Sequence, residues 1–345
     1  MALAATRLDE YRLAYERSNL DAWEQRMSNY GAFETFKSDA NNLIPGVAEL
    51  IANRSDALRT VSIPVINRKT SWNEASERTC TALTGRNTSA YVTPSWTTYK
   101  NGFSMTPAQY KGNHLSYQAD FNNKMKQMER QILTTLDTAG YTHLNTNRTA
   151  VNASDGNPYT VTGNSMIVPA ANNDIFLNEL GAIMDANDFP SEGINVIHSP
   201  RFQALVREYS AQGISNAENR VFQFGGYNFA SSNRVTISSS AYRDTLYAVP
   251  QGSLAFLSWV DPDAVMNHTS GDGKEWSVQT LPSVGIEAGL LYQSTCSSAT
   301  GYVGTGYEAT LTESFHFSFD YSFNSAYNSA TGTYAGPIFK SDLVK

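Results

Sequence analysis

Residues 313–324 read Glu-Ser-Phe-His-Phe-Ser-Phe-Asp-Tyr-Ser-Phe-Asn. Phe315, Phe317, Phe319, Tyr321 and Phe323 take every second position, and His316, Ser318, Asp320, Ser322 and Asn324 fill the gaps. Side chains alternate across a strand, so this period puts five rings on one face and the polar groups on the other. A helix would scatter the same rings around its axis. The stretch predicts a β-strand with one apolar and one wet face, in an antiparallel sheet. Three placements fit: a core strand, a membrane-barrel strand whose rings meet lipid, and a face packed on another subunit.

The barrel placement is the weakest of the three. The first residues, MALAATRLDEYRLAYERSNL, carry charges within the first ten positions and no apolar stretch, so no signal peptide is expected. The aromatic strand is also followed by further chain, residues 325–345. No run approaches the roughly 18 apolar residues of a membrane-spanning helix, so no membrane contact is expected.

Of the 345 residues only 17% are charged, and the formal net charge is −7. The charged share is below the usual quarter or so. Ser, Thr, Asn, Gly and Tyr fill the surface instead, which suits a protein largely covered by neighbours. A β-rich secreted protein would share that composition. The acidic balance and the lack of a Lys/Arg cluster argue against a protein that grips phosphates or reads a DNA sequence. Cys80 and Cys296 form neither a disulfide framework nor a zinc motif and are expected to stay reduced, as in cytosolic synthesis.

Residues 6–37 predict helix in two pieces, with Ser18 or Asn19 capping the second and Gly31 ending or bending it. Residues 41–57 predict a short helix after Pro45. Residues 58–68 alternate around Val61, Ile63 and Val65, and residues 89–107 return as extended chain, with Pro94 marking an edge. The polar stretch between them makes a protruding hairpin, of a length that tends to be functional. Residues 116–140 form the strongest helical pattern, from Tyr117 and Phe121 through Met125, Met128, Ile132 and Leu136, with Gly140 as its stop. The methionines there are expected to be core.

A loop or small hairpin over 145–164 precedes a helix over 172–188, capped by Asn172 or Asn173, with Ile175, Phe176, Leu180, Ile183 and Met184 inward. Residues 193–199 read as a buried strand, and Pro200 opens a helix running to Gly213. Segments 221–233, 245–259 and 275–296 are strand-rich.

Motifs for chemistry are missing. His114, His143, His198, His268 and His316 have no metal-ligand spacing. The Gly-rich residues 301–309 lie between strands, where a dinucleotide fingerprint needs a strand and then a helix. Residues 270–273 resemble a calcium turn but lack the closing Glu. Asp261 and Asp263 flank a proline with nothing nearby to make them an acid/base pair. Asn53, Asn87, Asn147, Asn152 and Asn267 begin glycosylation triplets that mean nothing without secretion. No catalytic, cofactor-binding or metal-binding residue is assigned, and no enzyme activity or cofactor is expected.

The order of elements carries more than any motif. A helical arm comes first, then a protruding two-stranded loop (58–112), then one very long helix (116–140). A mixed unit follows with INVIHSPRFQALV (194–206) and FGGYNFASSNRV (224–235), and extended chain closes the sequence. This order resembles the major capsid proteins of tailed bacteriophages, the Hong Kong 97-type fold. The first segment is similar to the strand-helix unit of that family's axial domain, the second to its Gly-aromatic strand ending in Ser-Asn.

The resemblance implies an α+β fold: N-terminal arm 1–57, extended loop 58–112, spine helix and peripheral domain 113–170, axial domain 171–300, and a C-terminal return strand of the peripheral domain over 301–345. It implies a shell subunit whose partners are copies of itself, in hexamers and pentamers that enclose double-stranded DNA without reading its sequence. A portal and possibly cement proteins join these, and the virion is the location, after assembly in the bacterial host cytoplasm. The aromatic stripe would pack under the spine helix, with its Ser/Asp/Asn face toward solvent or a neighbour. Some members carry a long N-terminal scaffolding segment that is cleaved. Only about 57 residues precede the loop here, so a separate scaffolding protein is expected. Some members join a lysine to an asparagine between subunits; Lys69 lies near the loop tip and is assigned no such role. An encapsulin-like compartment shell, another virion or tail structural protein, and a carbohydrate-binding or hydrolytic β-domain remain as alternatives.

Overall fold

The computed structural model describes residues 2–17, 29–43, 63–66, 89–110, 116–149, 158–187, 189–212, 223–224, 226–260, 269–270, 274–298, 309–326 and 336–345. Helices and mainly antiparallel ladders share the chain, an α+β architecture. It is organised by one long helix and two sheets.

The aromatic stretch lies in β14 (Ala309–Ser325). Its residues 309–318 pair on one side with β13 (Ile286–Ser298) and its residues 320–325 with β10 (Leu254–Trp259). β3 (Thr97–Met105) pairs along residues 313–321, overlapping both, so it takes the opposite edge of β14. β12 (Lys274–Leu281) and β11 (Thr269–Ser270) extend the sheet beyond β13 to six strands.

Register sets ring beside ring. Phe315 opposes Phe103 and Tyr292, Phe319 opposes Tyr99, and Phe323 opposes Phe256. Their centroids lie 5.3, 5.2, 5.4 and 5.2 Å apart. Each such pair adds about 0.5–1.5 kcal/mol beyond its buried area.

The rings pack under α3 (Tyr117–Thr146), reached through Phe121, whose centroid is 5.1 Å from that of Phe315. Ser116 caps α3 by accepting from the Ala119 N–H at 3.1 Å. Met125, Met128, Ile132, Leu133 and Leu136 are buried on the same face. The polar face of β14 is not uniformly wet: Asp320 and Ser322 are buried.

Gly140 does not stop α3. The helix runs six residues further, to about 45 Å at the standard rise. A Cβ on Gly140 would lie 3.3 Å from the Phe323 ring and 3.6 Å from the Phe36 ring. The glycine makes room for the Phe323 ring and stands in ordinary contact with a neighbouring helix.

That neighbour is α2 (Gly31–Leu43), which starts at the glycine expected to end a helix. A Cβ on Gly31 would lie 2.7 Å from the Ala230 carbonyl carbon and the Ser231 oxygen. Close backbone approach, not helix termination, is its role. α1 (Ala2–Arg17) precedes it. The helix expected over 41–57 lies almost entirely outside the described residues.

β1 (Ile63–Ile66) and β2 (Ser89–Val92) pair antiparallel, Ile63 opposite Val92, and form a two-stranded sheet of their own. Pro94 falls in the break between β2 and β3.

The second large sheet has seven strands, in the order β4 (Thr160–Thr162), β5 (Ser165–Val168), β15 (Phe339–Val344), β9 (Tyr242–Pro250), β6 (Ile194–His198), β8 (Tyr227–Ser231), β7 (Gln223–Phe224). One face carries Met166, Val168, Ile194, Val196, Leu246, Ala248 and Phe339 against α4 (Phe176–Ala186) and α5 (Gln203–Gln212). The other face gives Ile197, Tyr247 and Val249 to the core around α2 and α3. A 3-10 turn at Pro200–Phe202 leads into α5, with Pro200 at its first position.

Ile175 is 45% exposed rather than inward, because it precedes the first turn of α4. No side chain caps that turn; the Asn173 amide instead donates to the Val344 carbonyl at 3.0 Å. The sheets do not part at 170/171 or at 300/301. β10, β12 and β13 join β3 and β14 in one sheet, while β4, β5 and β15 join β6 and β9 in the other. Between the two large sheets the described strands cross three times: from β3 through α3 to β4, at the β9–β10 turn, and between β14 and β15.

Candidate functional site

Among the described residues no group of three or more His, Cys, Asp or Glu side chains is placed to hold a metal ion. The sequence-flagged residues do not converge. His143 lies in α3, His198 at the end of β6 and His316 on β14. Asn147 is the C-cap of α3, and its side-chain amide donates to the His143 carbonyl. His114, His268, Lys69, Asp261, Asp263, Asn53, Asn87, Asn152, Asn267 and residues 301–308 lie outside the described residues. Burial pushes His143 and His198 down to about 4, so both rings are neutral near pH 7. Neutral buried rings of this kind fit structure.

The built features are seats for the N-terminal helices. On α1, Tyr11 is 2% exposed and its hydroxyl donates to Glu129 Oε2 of α3 at 3.0 Å. Ser283 donates to the same oxygen. The Arg7 guanidinium stacks over the Tyr117 ring at 3.8 Å, and the Arg7 carbonyl accepts from Gln118 Nε2 at 3.3 Å. Burial raises the Glu129 carboxyl, and the two hydroxyls oppose that rise in part.

α2 is tied on three sides. The Phe33 N–H donates to Asp137 Oδ1 of α3 at 3.0 Å, and Ser232 Oγ to Oδ2 at 2.6 Å. Asp39 accepts from Asn195 Nδ2 of β6 at 2.8 Å and from the Gly252 N–H at 3.1 Å. Lys37 Nζ donates to the Val284 carbonyl at 2.7 Å. One short helix thus bonds the spine helix, the seven-stranded sheet and the turn beside β13. Burial pushes Asp39 up to about 6, against the two donors it accepts from.

A groove of about 590 Å³ runs along α3 beside Tyr321 and Phe323. Thr135, Thr138 and Thr142 donate their hydroxyls to carbonyls four residues back in the helix. Among the described residues no carboxylate, lysine or arginine lines it. The one imidazole in the wall, His143, is held neutral near pH 7 by burial.

Sequence reasoning missed the buried carboxylates Asp39, Glu129 and Asp137. Glu129 and Asp137 carried a signal. Each falls beside apolar positions on the inner face of the α3 pattern, where a charge has to be paired. Asp39 had none, because its donors are 156 and 213 residues away.

No family model matches this sequence, and no curated protein matches it. Among solved structures, the chain is similar to one from Mycobacterium phage Che8 at 11% identity, with a TM-score of 0.49 over 87% of this chain and 89% of that one. It is similar to the capsid structure of cyanophage P-SCSP1u at 11% identity, with a TM-score of 0.44 over 83% of each chain. The mature capsid of bacteriophage PhiM1 is similar at 13% identity, with a TM-score of 0.42 over 82% of each chain. Likeness at this level assigns neither fold nor function by itself.

Proposed function

We propose that this chain is the major capsid protein of a tailed bacteriophage, a subunit that assembles with copies of itself into an icosahedral shell around double-stranded DNA. The observation that carries the proposal is the separate β1–β2 ladder. Among the described residues it pairs with neither large sheet. A lone two-stranded hairpin is marginal in water. Such a ladder makes sense where a neighbouring copy covers it.

The rest of the molecule supports the same reading. Helices α1 and α2 are held by side chains on a 30-residue helix rather than forming a core of their own. The element order follows the Hong Kong 97-type pattern: arm 1–57, extended loop 58–112, spine helix, peripheral and axial domains. A surface poor in charge suits large mutual burial, above about 2,000 Å² for an obligate contact. A net charge of −7 suits an inner wall that does not hold packaged DNA tightly. Hexamers and pentamers, a separate scaffolding protein and a portal belong to this proposal, with cement proteins as an optional addition. So does the virion as the location, after assembly in the bacterial host cytoplasm.

Negative-stain electron microscopy of the purified chain, alone and co-expressed with a candidate scaffolding protein, tests it. Closed shells or capsomer rings are expected. Closed shells that hold a protein cargo and no DNA during infection would point to a compartment instead. A chain that never assembles under either condition would overturn the proposal.

A further inference from the structure

A basic cleft lies where the turn at Pro200–Phe202 enters α5. Arg201, Arg207, Arg243 and Lys345 line a concavity of about 680 Å³, with Pro200 and Ala204 between them. Among the described residues no acidic side chain lines it. In a chain of net charge −7 this is a local reversal of sign. Arg201, Ala204 and Arg207 recur every three residues and are all exposed, so they form one outward ridge. Asp244 lies buried beside the cleft, where it accepts from Ser199 Oγ at 3.1 Å and pairs with Arg243 Nε at 3.3 Å.

The complement lies on the same unit. α4 turns Phe176, Leu177, Leu180, Ile183 and Met184 inward. Its outer side exposes Asn178 and Asp185, and the turn just before it exposes Asp174 and Ile175, the latter at 45%. Asp185 lies in the last turn of α4, and Asp174 lies in the turn that leads into it. An apolar knob with one carboxylate beside it and a second about 15 Å further along the helix meets an apolar floor among arginines, which bind carboxylates through two parallel N–H bonds.

We propose that the outer side of α4 and its leading turn in one copy dock into the basic cleft of the next, with Ile175 against Pro200 and Ala204 and with Asp174 and Asp185 among the arginines. Two different patches then meet head to tail. Such a contact closes into a ring when the rotation allows and otherwise runs on as a filament. The inference rests on the shell reading for the presence of neighbouring copies, and it names the side chains of one contact between them.

Charge exchange tests it. The variants are Arg201→Glu with Arg207→Glu, Asp174→Arg with Asp185→Arg, and all four together. Circular dichroism melts check folding, and sedimentation velocity with electron microscopy reads assembly. Each double variant is expected to weaken association at least about tenfold, and the fourfold variant to recover it. Double variants that assemble like the unaltered chain would overturn this contact and leave the shell reading standing. A fourfold variant that stays dispersed would overturn the charge pairing. An unaltered chain that stays monomeric throughout would overturn both readings. A cleft that binds a fluorescent single-stranded oligonucleotide, lost on Arg201→Glu with Arg207→Glu while Asp174→Arg with Asp185→Arg assembles normally, would make it a nucleic-acid site instead.

Discussion

The two large sheets reach burial by different routes. The six-stranded sheet packs one ringed face on α3, and Phe315, Phe317 and Phe319 are nearly inaccessible while His316 and Ser318 stay half-buried. The seven-stranded sheet is covered on both faces, and β9 is buried without a break from Asp244 to Pro250. Alternation is free only where one side stays wet; a doubly covered strand has to settle polar groups inside. Asp342 shows how. It accepts from Ser165 Oγ at 2.6 Å and Thr245 Oγ1 at 2.5 Å, and pairs with Lys340 Nζ at 3.1 Å. One sheet is held mainly by ring packing, the other by packing plus buried polar bonds.

Truncation separates the two routes. Phe315→Ala should cost about 3–5 kcal/mol, read by denaturant melts, because it removes a ring in contact with Phe103, Phe121 and Tyr292. Phe315→Leu should recover much of that loss, since the site asks only for apolar volume. Asp342→Ala should cost about 3 kcal/mol, by stranding a buried lysine and two hydroxyls. Asp342→Leu should recover nothing. Equal rescue in both sheets would erase the distinction drawn between them.

The junction between the sheets allows smaller tests. Gly31→Ala should cost about 1–3 kcal/mol, because its Cβ meets the backbone of β8. Asp39→Asn keeps an acceptor for Asn195 and Gly252 and removes the titration. The folded-state value near 6 lies above the ordinary 3.8, so the folded chain holds this proton more tightly. Its contribution to stability is fully present below about pH 4 and is lost as pH rises through about 6. Melting temperatures from pH 4 to 7 should therefore show the Asn variant gaining on the unaltered chain as pH rises. His143 and His198 titrate the opposite way in both chains, so the difference between the chains isolates Asp39.

Legibility followed the same divide. The aromatic strand, the long helix and the pair of strands around residues 67–88 showed in the sequence, because period and length survive when one face is solvated. Strand β6 was also legible, as a short continuous apolar run. The two glycines misled. Gly31 and Gly140 read as helix punctuation, whereas both permit close approach of partners distant in sequence. Sheet membership was hidden too, since β14 and β15 are consecutive strands that enter different sheets. The basic cleft left little trace, because Arg201 and Arg207 meet Arg243 and Lys345 only when α5 packs beside β9 and β15.

Sedimentation velocity of the purified chain over a wide concentration range, with and without a crowding polymer, bears most directly on the shell-building claim. The account predicts concentration-dependent growth into discrete rings or closed particles. A single monomer boundary under every condition would contradict it.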